Sequence, residues 1–374
     1  MLAEDISVAV TMVNFSQANI ESLEEKWQRL YAHSDACFFL SWRWIGNWLT
    51  TYKPNLLVLE AVKSGHLIGL GLLSMTEERR HGFVISNCMR LHQTGEPYED
   101  QIWIEYNDFL IKRGEEQAVS KAFLDALKRN EIQWDELIVT GIDVGRASKL
   151  SRASGMRALI RWQTPCVGVD LNEVRRSASS YLQALSSNAR YQIKRSIRLY
   201  SELGDLAVHR PPSVSEAIDW FDGFGGHHIK KWGRLPGQSG YANREFVRFH
   251  HGLIRSGWEK GEVDIAAVKA GDELLAGFYN FIQGKRVYFY LGVTSETDDN
   301  RLKPGLVGHS MMIQEYLDKG LDFYDFMGGE DRYKKSLGRE HGSIVKMVLQ
   351  RPRVSLCVEN ALRSARNLFS RGVQ

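Results

Sequence analysis

The chain has 374 residues, of which 43% are hydrophobic and 25% charged. These are ordinary globular proportions that exclude wholesale disorder, and at ~100–200 residues per domain they predict two domains. Its 48 basic and 45 acidic residues leave a net charge of +3, too small a surplus to predict a nucleic-acid binder from bulk charge. Cys37, Cys88, Cys166 and Cys357 are scattered without a CxxC pair, so neither a disulfide framework nor a zinc knuckle is expected and a reducing compartment fits.

The opening MLAEDISVAVTMVNF carries Glu4 and Asp5 and no basic stretch, so it reads as a first strand rather than a secretory signal. No run of ~18 apolar residues follows, and a soluble, cytoplasmic protein is expected. A helix is predicted around 19–33. Another is predicted over Ser41–Tyr52, where Trp42, Ile45 and Trp48 recur at helical spacing. LLVLEAVKSGHLIGLGLLSM reads as a β-hairpin turning at Lys63–His66. A helix near 115–129 and a strand over Glu136–Thr140 complete the first half.

The second half repeats this order more clearly. Helices are predicted near 179–203, 213–222 and 243–260, with Ser187 or Asn188 capping the basic part of the first. A three-strand meander over 263–293 turns at Gly271-Asp272 and Gln283-Gly284-Lys285. A loop then enters a helix at 306–319 that stops at Gly320, followed by the strand LDFYDFM. The hairpin at 56–75 could be a first copy of the one at 263–282, which reads as internal duplication; the alternative is one irregular α+β domain.

Four segments could carry chemistry. In TSETDDNRLKPGLVGHSMM, Pro304 suits a first helical position, Gly305 and Gly308 would let an anion approach the backbone, and Arg301 and Lys303 add charge. The plainer reading is a loop–helix junction. In LDFYDFM, Asp325 alternates with apolar neighbours, so it is either a structural buttress or a general base of raised pKa. FGGHHIKKWGRLPG offers His227 and His228, whose spacing supports no metal site, and Trp232 as a sugar or base platform. Arg190, Lys194 and Arg198 recur every four residues with Arg195 and Tyr191 nearby, a basic face for an anionic ligand or for solvent. In the C-terminal VENALRSARNLFSRGVQ, Leu362, Ala365, Leu368 and Phe369 share a face; docking on the body is the plainer reading and membrane-surface attachment the alternative.

Taken together, IEYNDFLI (104–111), LSSNARYQIKRSIRLYSELG (185–204), HHIKKWGRLPG (227–237), LKPGLVGHSMMIQEYLDKGLDFYDFMGGEDRYKKSLG (302–338) and SWRWIGNWLTTY resemble the GNAT acyltransferase superfamily. The resemblance is narrower to tandem-GNAT proteins of the CelD/BcsL type, acetyltransferases of cellulose and exopolysaccharide loci and relatives of Fem-type aminoacyltransferases. It implies an α/β (α+β) fold of two tandem GNAT-like domains, each a mixed, mostly antiparallel sheet flanked by helices. The implied bounds are 1–168 for a degenerate N-terminal domain, 169–350 for the domain with the acyl-donor site, and 351–374 for an amphipathic helix.

The resemblance further implies an acyltransferase with acetyl-CoA or another acyl-CoA as co-substrate and no metal. The pantetheine arm would run along Leu291, Gly292 and Val293. Its pyrophosphate would rest on Arg301, Lys303, Pro304, Gly305, Leu306, Val307 and Gly308, with Lys334 nearby; Arg301 stands one residue further from Gly305 than in the family pattern, and Val307 replaces a small residue. Asp325 through water, or His228, would take the acceptor's proton, and Tyr290 or Tyr324 would protonate the thiolate. Arg190, Tyr191, Lys194, Arg195, His227 and Trp232 would hold a sugar, nucleotide-sugar or polysaccharide-precursor acceptor, and association with a membrane synthesis complex would follow. DNA is not an expected partner. Two alternatives stay open: a Fem-type aminoacyl transferase using charged tRNA, for whose inserted long helices the chain has no evident room, and a non-catalytic scaffold.

Overall fold

A computed structural model describes residues 8–235 and 237–371, with side chains of the last helix described as far as residue 363. The first seven residues, Pro236 of GRLPG, and the side chains of Ala365, Leu368 and Phe369 lie outside the described residues. The chain divides into two compact units, one formed by residues up to Gln163 together with those from Ile344 onward, the other by Thr164–Ser343.

In the first unit the strands Ala9–Asn14, Leu57–Lys63, His66–Arg80 and Val84–Leu91 are antiparallel neighbours in that order. The last of them runs parallel to Glu136–Asp143, which in turn pairs antiparallel with residues 344–350. In the second unit Leu206–His209, Val263–Ala270, Glu273–Gln283 and Arg286–Thr294 form the same antiparallel series. Arg286–Thr294 then runs parallel to Phe323–Gly328, which pairs antiparallel with residues 166–170. Each unit is therefore a mixed, mostly antiparallel sheet flanked by helices, and the hairpins at 57–80 and 263–283 occupy the same place in each.

Local chemistry explains most element ends. Ser64 and Gly65 both take positive φ at the first hairpin turn, and Gly271 and Gly284 do so in the meander. Pro304 opens the helix Pro304–Asp318, and Gly320 follows its end at φ +78. That helix buries Val307, Met312, Ile313 and Tyr316 against Val268, Phe278, Tyr324 and Phe326, the core on which the site is built.

Three expectations are corrected. The helix expected over 179–203 is interrupted at Leu185, whose extended backbone separates Tyr181–Ala184 from Ser187–Ser201. Its cap is Ser186, whose hydroxyl accepts from the Ala189 amide, rather than Ser187 or Asn188. The helix expected to end at 222 runs on as Val214–Trp232, so His227, His228 and Trp232 are helical rather than in a loop. Gly225 there serves packing, since a Cβ would come within 3.0 Å of the Tyr241 ring, whereas one at Gly226 would meet nothing within 4 Å. The compact units also differ from the bounds 169–350 and 351–374. Residues 344–350 pair with Glu136–Asp143, and the helix Val354–Arg371 is tied to the first unit by Arg80–Glu359.

Candidate active site

The strands Arg286–Thr294 and Phe323–Gly328 start side by side and then part. Their parallel register holds Arg286↔Phe323, Val287↔Tyr324 and Tyr288↔Asp325, with no further pair among the described residues. The last six residues of the first strand thus run on without that neighbour, and beside them lies a cavity of about 270 Å3. Gly292, Val293 and Thr294 form one wall, Pro304, Gly305 and Leu306 another, and Phe289, His309 and Tyr333 also line it.

One end of this slot meets a helix start with no side-chain cap. Pro304 has no N–H, and the amides of Gly305 and Leu306 have no carbonyl one turn back to bond, whereas Val307 already donates to the Lys303 carbonyl. Two unspent donors, the helix dipole, and Lys303 and Lys231 on the cavity wall make this end attractive to an anion. The helix Ser187–Ser201 steadies the entry, because Ser196 accepts from the Lys303 amide at 2.8 Å. Nearby, the Nε of Arg195 is enclosed without a hydrogen-bond partner.

The other end is aromatic. His309 is buried, with Nδ1 3.2 Å from the Tyr324 hydroxyl and its ring stacked on Tyr333 at 5.3 Å. Burial, with Lys334 and Lys231 adding repulsion, pulls its pKa down to about 3, so the imidazole is neutral at physiological pH. Burial and Asp331 push the Tyr333 phenol above its ordinary range. His309 was not singled out from the sequence. The available signal was helical spacing, since it lies one turn after Gly305 and so faces the same cavity.

The residues singled out from the sequence are distributed as follows. Gly292, Val293, Lys303, Pro304, Gly305 and Leu306 line the slot. Leu291 does not line it, and the Val307 side chain is wholly buried in the core. Gly308 faces the sheet, where a Cβ would come within 2.7 Å of Ala276, so that glycine serves close packing rather than anion approach. Arg301 is exposed and its charge is engaged by Asp299 at 2.7 Å. Lys334 is buried and donates to the carbonyls of Phe326 and Gly328, securing the end of that strand.

The proposed proton carriers also move. Asp325 is wholly buried, accepts from Arg286 at 2.7 Å, from the Met327 amide at 2.8 Å, and lies 3.2 Å from His341 Nε2. Burial raises its pKa, but His341 and Arg286 outweigh that and hold it below the usual carboxylate range. It lines neither this slot nor the cavity of about 600 Å3 that His341 faces, and so belongs to a buried ion pair. His228 is buried with Nδ1 2.7 Å from Ser239 Oγ, and burial and Lys231 pull it down to about 4, a weak base at neutral pH. Tyr290 lies on the opposite side of its strand from Phe289, packed on His250 at 5.0 Å. Tyr324 is wholly buried one contact behind His309, and burial keeps its phenol protonated.

The basic helix does not present one converging face. Its buried side is Ala189, Ile193, Ser196 and Tyr200. Arg190 donates to the Gln183 carbonyl, Lys194 is exposed, and Arg195 sits 5.6 Å from the ring of Tyr191, which is itself 62% exposed. His227 is exposed, while Trp232 has Lys231 Nζ 5.1 Å above its ring. Of potential metal ligands among the described residues, Glu78, Cys88 and Glu136 come together. Arg80 and Arg90 already engage those two carboxylates.

Residues 187–335, which include the parting strands and the uncapped helix, match the family model described as an acetyltransferase (GNAT) domain. Residues 187–335 thus form a GNAT-type acetyltransferase domain within the second unit, which makes the protein an acyltransferase. No curated protein matches the chain. Solved structures share the fold at low identity. FemX is 11% identical with a TM-score of 0.55, covering 90% of this chain and 96% of its own. The C-terminal domain of a putative lysylphosphatidylglycerol synthetase from Agrobacterium fabrum is 10% identical with a TM-score of 0.53, covering 93% and 97%. A conserved protein of unknown function from Bacteroides thetaiotaomicron is 11% identical with a TM-score of 0.52, covering 92% and 100%. Among the described residues no helix is long and apolar enough to cross a membrane.

Proposed function

We propose that the second unit moves an acyl group from a CoA thioester, acetyl-CoA first among them, to an amine or hydroxyl of a sugar, nucleotide-sugar or polysaccharide precursor, in the manner of CelD/BcsL-type acetyltransferases. The observation that supports this most directly is the slot between the parting strands ending at the uncapped start of Pro304–Asp318. A diphosphate suits the amides of Gly305 and Leu306 with Lys303 and Lys231 beside them. An extended, uncharged arm suits the strand edge at Gly292 and Val293.

An N–H at Gly292 or Val293 would polarise the thioester carbonyl, an oxyanion-type contribution. The acceptor nitrogen or oxygen then bonds to the carbonyl carbon as the C–S bond breaks, with both reactants held close. The neutral His309 and the protonated Tyr333 keep the acyl end free of fixed charge, and the Tyr333 hydroxyl would hydrogen-bond the leaving thiolate, which takes up the proton lost by the acceptor. Asp325 has no part in this scheme. Calorimetric titration with acetyl-CoA, followed by thiol-release assays over amino sugars, nucleotide-sugars and glycans, tests it. Binding at micromolar to millimolar donor with release confined to sugar acceptors is expected. No heat and no rise in Tm at millimolar acetyl-CoA overturns the donor assignment.

A further inference from the structure

An arginine beside the slot has no acid to neutralise it. Arg195 stands on the helix Ser187–Ser201, next to Ser196 of its buried side. Its Nε is enclosed, and among the described residues no carboxylate or carbonyl meets the guanidinium. Its neighbour is the ring of Tyr191, 5.6 Å from the guanidinium carbon. Enclosed donors are almost always met by an acceptor, so a bare one points to a group that the chain itself does not supply. Of the other cations on this helix, Arg190 donates to the Gln183 carbonyl, and Lys194 and Arg198 are exposed.

The same helix fixes where that charge stands. Ser196 accepts from the Lys303 amide at 2.8 Å, which holds Arg195 against the loop that enters Pro304–Asp318. None of that loop's acids bonds to it. Asp299 is paired with Arg301 at 2.7 Å and also accepts its amide, Glu296 pairs with Lys230, and Asp298 is exposed. Arg301, and Arg195 to a smaller degree, hold the Asp299 carboxyl down to about 2. Arg195 is thus close to this loop and yet unpaired.

Arg195 does not line the slot, so a group that it binds lies outside it. A CoA thioester has such a group. With its arm along Gly292 and Val293 and its diphosphate at Gly305 and Leu306, its adenosine leaves the slot at the end where Lys303 and Arg195 stand. That adenosine carries a phosphate monoester, whose oxygens match the donors of a guanidinium. Tyr191 is 62% exposed and offers ring surface on which a base can stack.

We propose that Arg195 and Tyr191 form the nucleotide end of the donor site, the arginine taking the phosphate monoester and the tyrosine the base. This rests on the donor reading above and narrows it. The donor is a free CoA thioester rather than a pantetheine thioester carried on a protein, which has neither group. Both residues then serve the donor and not the acceptor.

The test is calorimetric titration of the full chain with acetyl-CoA, with its dephospho form lacking the phosphate monoester, and with adenosine 3′,5′-bisphosphate. The parent is expected to bind acetyl-CoA at least about tenfold more tightly than the dephospho form. Arg195→Met keeps an apolar stem in the enclosed space. It should bind both thioesters at the dephospho level and melt at or above the parent Tm, because it leaves no partner behind. Tyr191→Ala should weaken both forms alike, by about fivefold or more; unchanged binding takes the base off that ring. Equal affinity of the parent for the two thioesters overturns the proposal, as does a preference that survives Arg195→Met. Failure of the donor reading looks different, since neither thioester then binds. In that event, bisphosphate binding that Arg195→Met abolishes still upholds the nucleotide site, and no bisphosphate binding overturns both.

Discussion

The two units use one strand order to opposite ends. In the first, the three parallel pairs Cys88↔Glu136 to Arg90↔Ile138 fall at the close of a strand that stops at Leu91. In the second, the three pairs fall at the opening of a strand that continues to Thr294. Moving the pairing along the strand is what leaves the last six residues of Arg286–Thr294 open beside the slot in the second unit. The connections differ as well. The first unit spends residues 92–115 before its helix, and Leu110–Ile111 returns to pair with Gly69 and Leu70. The second needs only the loop 295–303. The helix Glu116–Arg129 then begins on Glu115 and Glu116, with Glu115 paired to Lys63, whereas Pro304–Asp318 begins on Lys-Pro-Gly. Acids at the first start already answer the helix dipole, and the second start is left to an anion.

Four experiments can break or sharpen this contrast. Asp325→Asn should deprive the partly exposed Arg286 of its charged partner and cost about 1–3 kcal/mol of stability, read by chemical denaturation. Turnover of the folded fraction should stay within about twofold, because Asp325 does not line the slot where the donor would lie. A tenfold loss of turnover in folded protein would restore the base role.

Acidification probes both units together. His92 in the first unit and His228 and His309 in the second are held neutral by burial, at about 4, 4 and 3 against 6.5 when unfolded. The unfolded chain therefore takes up protons first, so stability is full above pH 6.5 and declines as pH falls towards 4. For the nearly inaccessible His92 and His309 the loss by pH 4.5 is about 2–3 kcal/mol each. Urea midpoints that do not change between pH 7 and 4.5 would contradict their neutral burial.

Gly305→Glu gives the second unit the acidic start of the first. Acetyl-CoA affinity by calorimetry should drop about a hundredfold, equivalent to about 2.7 kcal/mol, with little change in Tm without ligand; near-normal affinity would remove the anion site from this helix start. The smallest effect is expected from Glu115→Lys/Glu116→Lys. Reversing charge in the first unit should create no second acetyl-CoA site, because the cavity of about 680 Å3 at that helix start is lined by the helices carrying Glu116 and Arg146 and offers no open strand edge for the donor's arm, and a stoichiometry of two would defeat that explanation.

Much of the frame was legible in the residues. Alternating apolar runs around Ser64-Gly65, Gly271 and Gly284 specify the hairpins, and Lys-Pro-Gly marks a helix start with spare amides. Other features were misread for lack of partners. Asp325 looks like a base of raised pKa until Arg286 and His341 arrive from 39 and 16 residues away. Gly308 looks like a phosphate glycine until Ala276 is placed beneath it. Lys334 looks like a free cation until Phe326 and Gly328 turn their carbonyls to it.

Local spacing and turn chemistry, acting over a few residues, were enough to specify the strands, most helices and the duplicated order, because backbone hydrogen bonding and side-chain periodicity are short-range. Where the parallel pairing falls along each strand, which carboxylate meets which cation, and which side of the last helix turns inward depend on contacts between distant segments. Burial and ion pairing act only once the chain has folded, so those matters were decided by the tertiary structure alone.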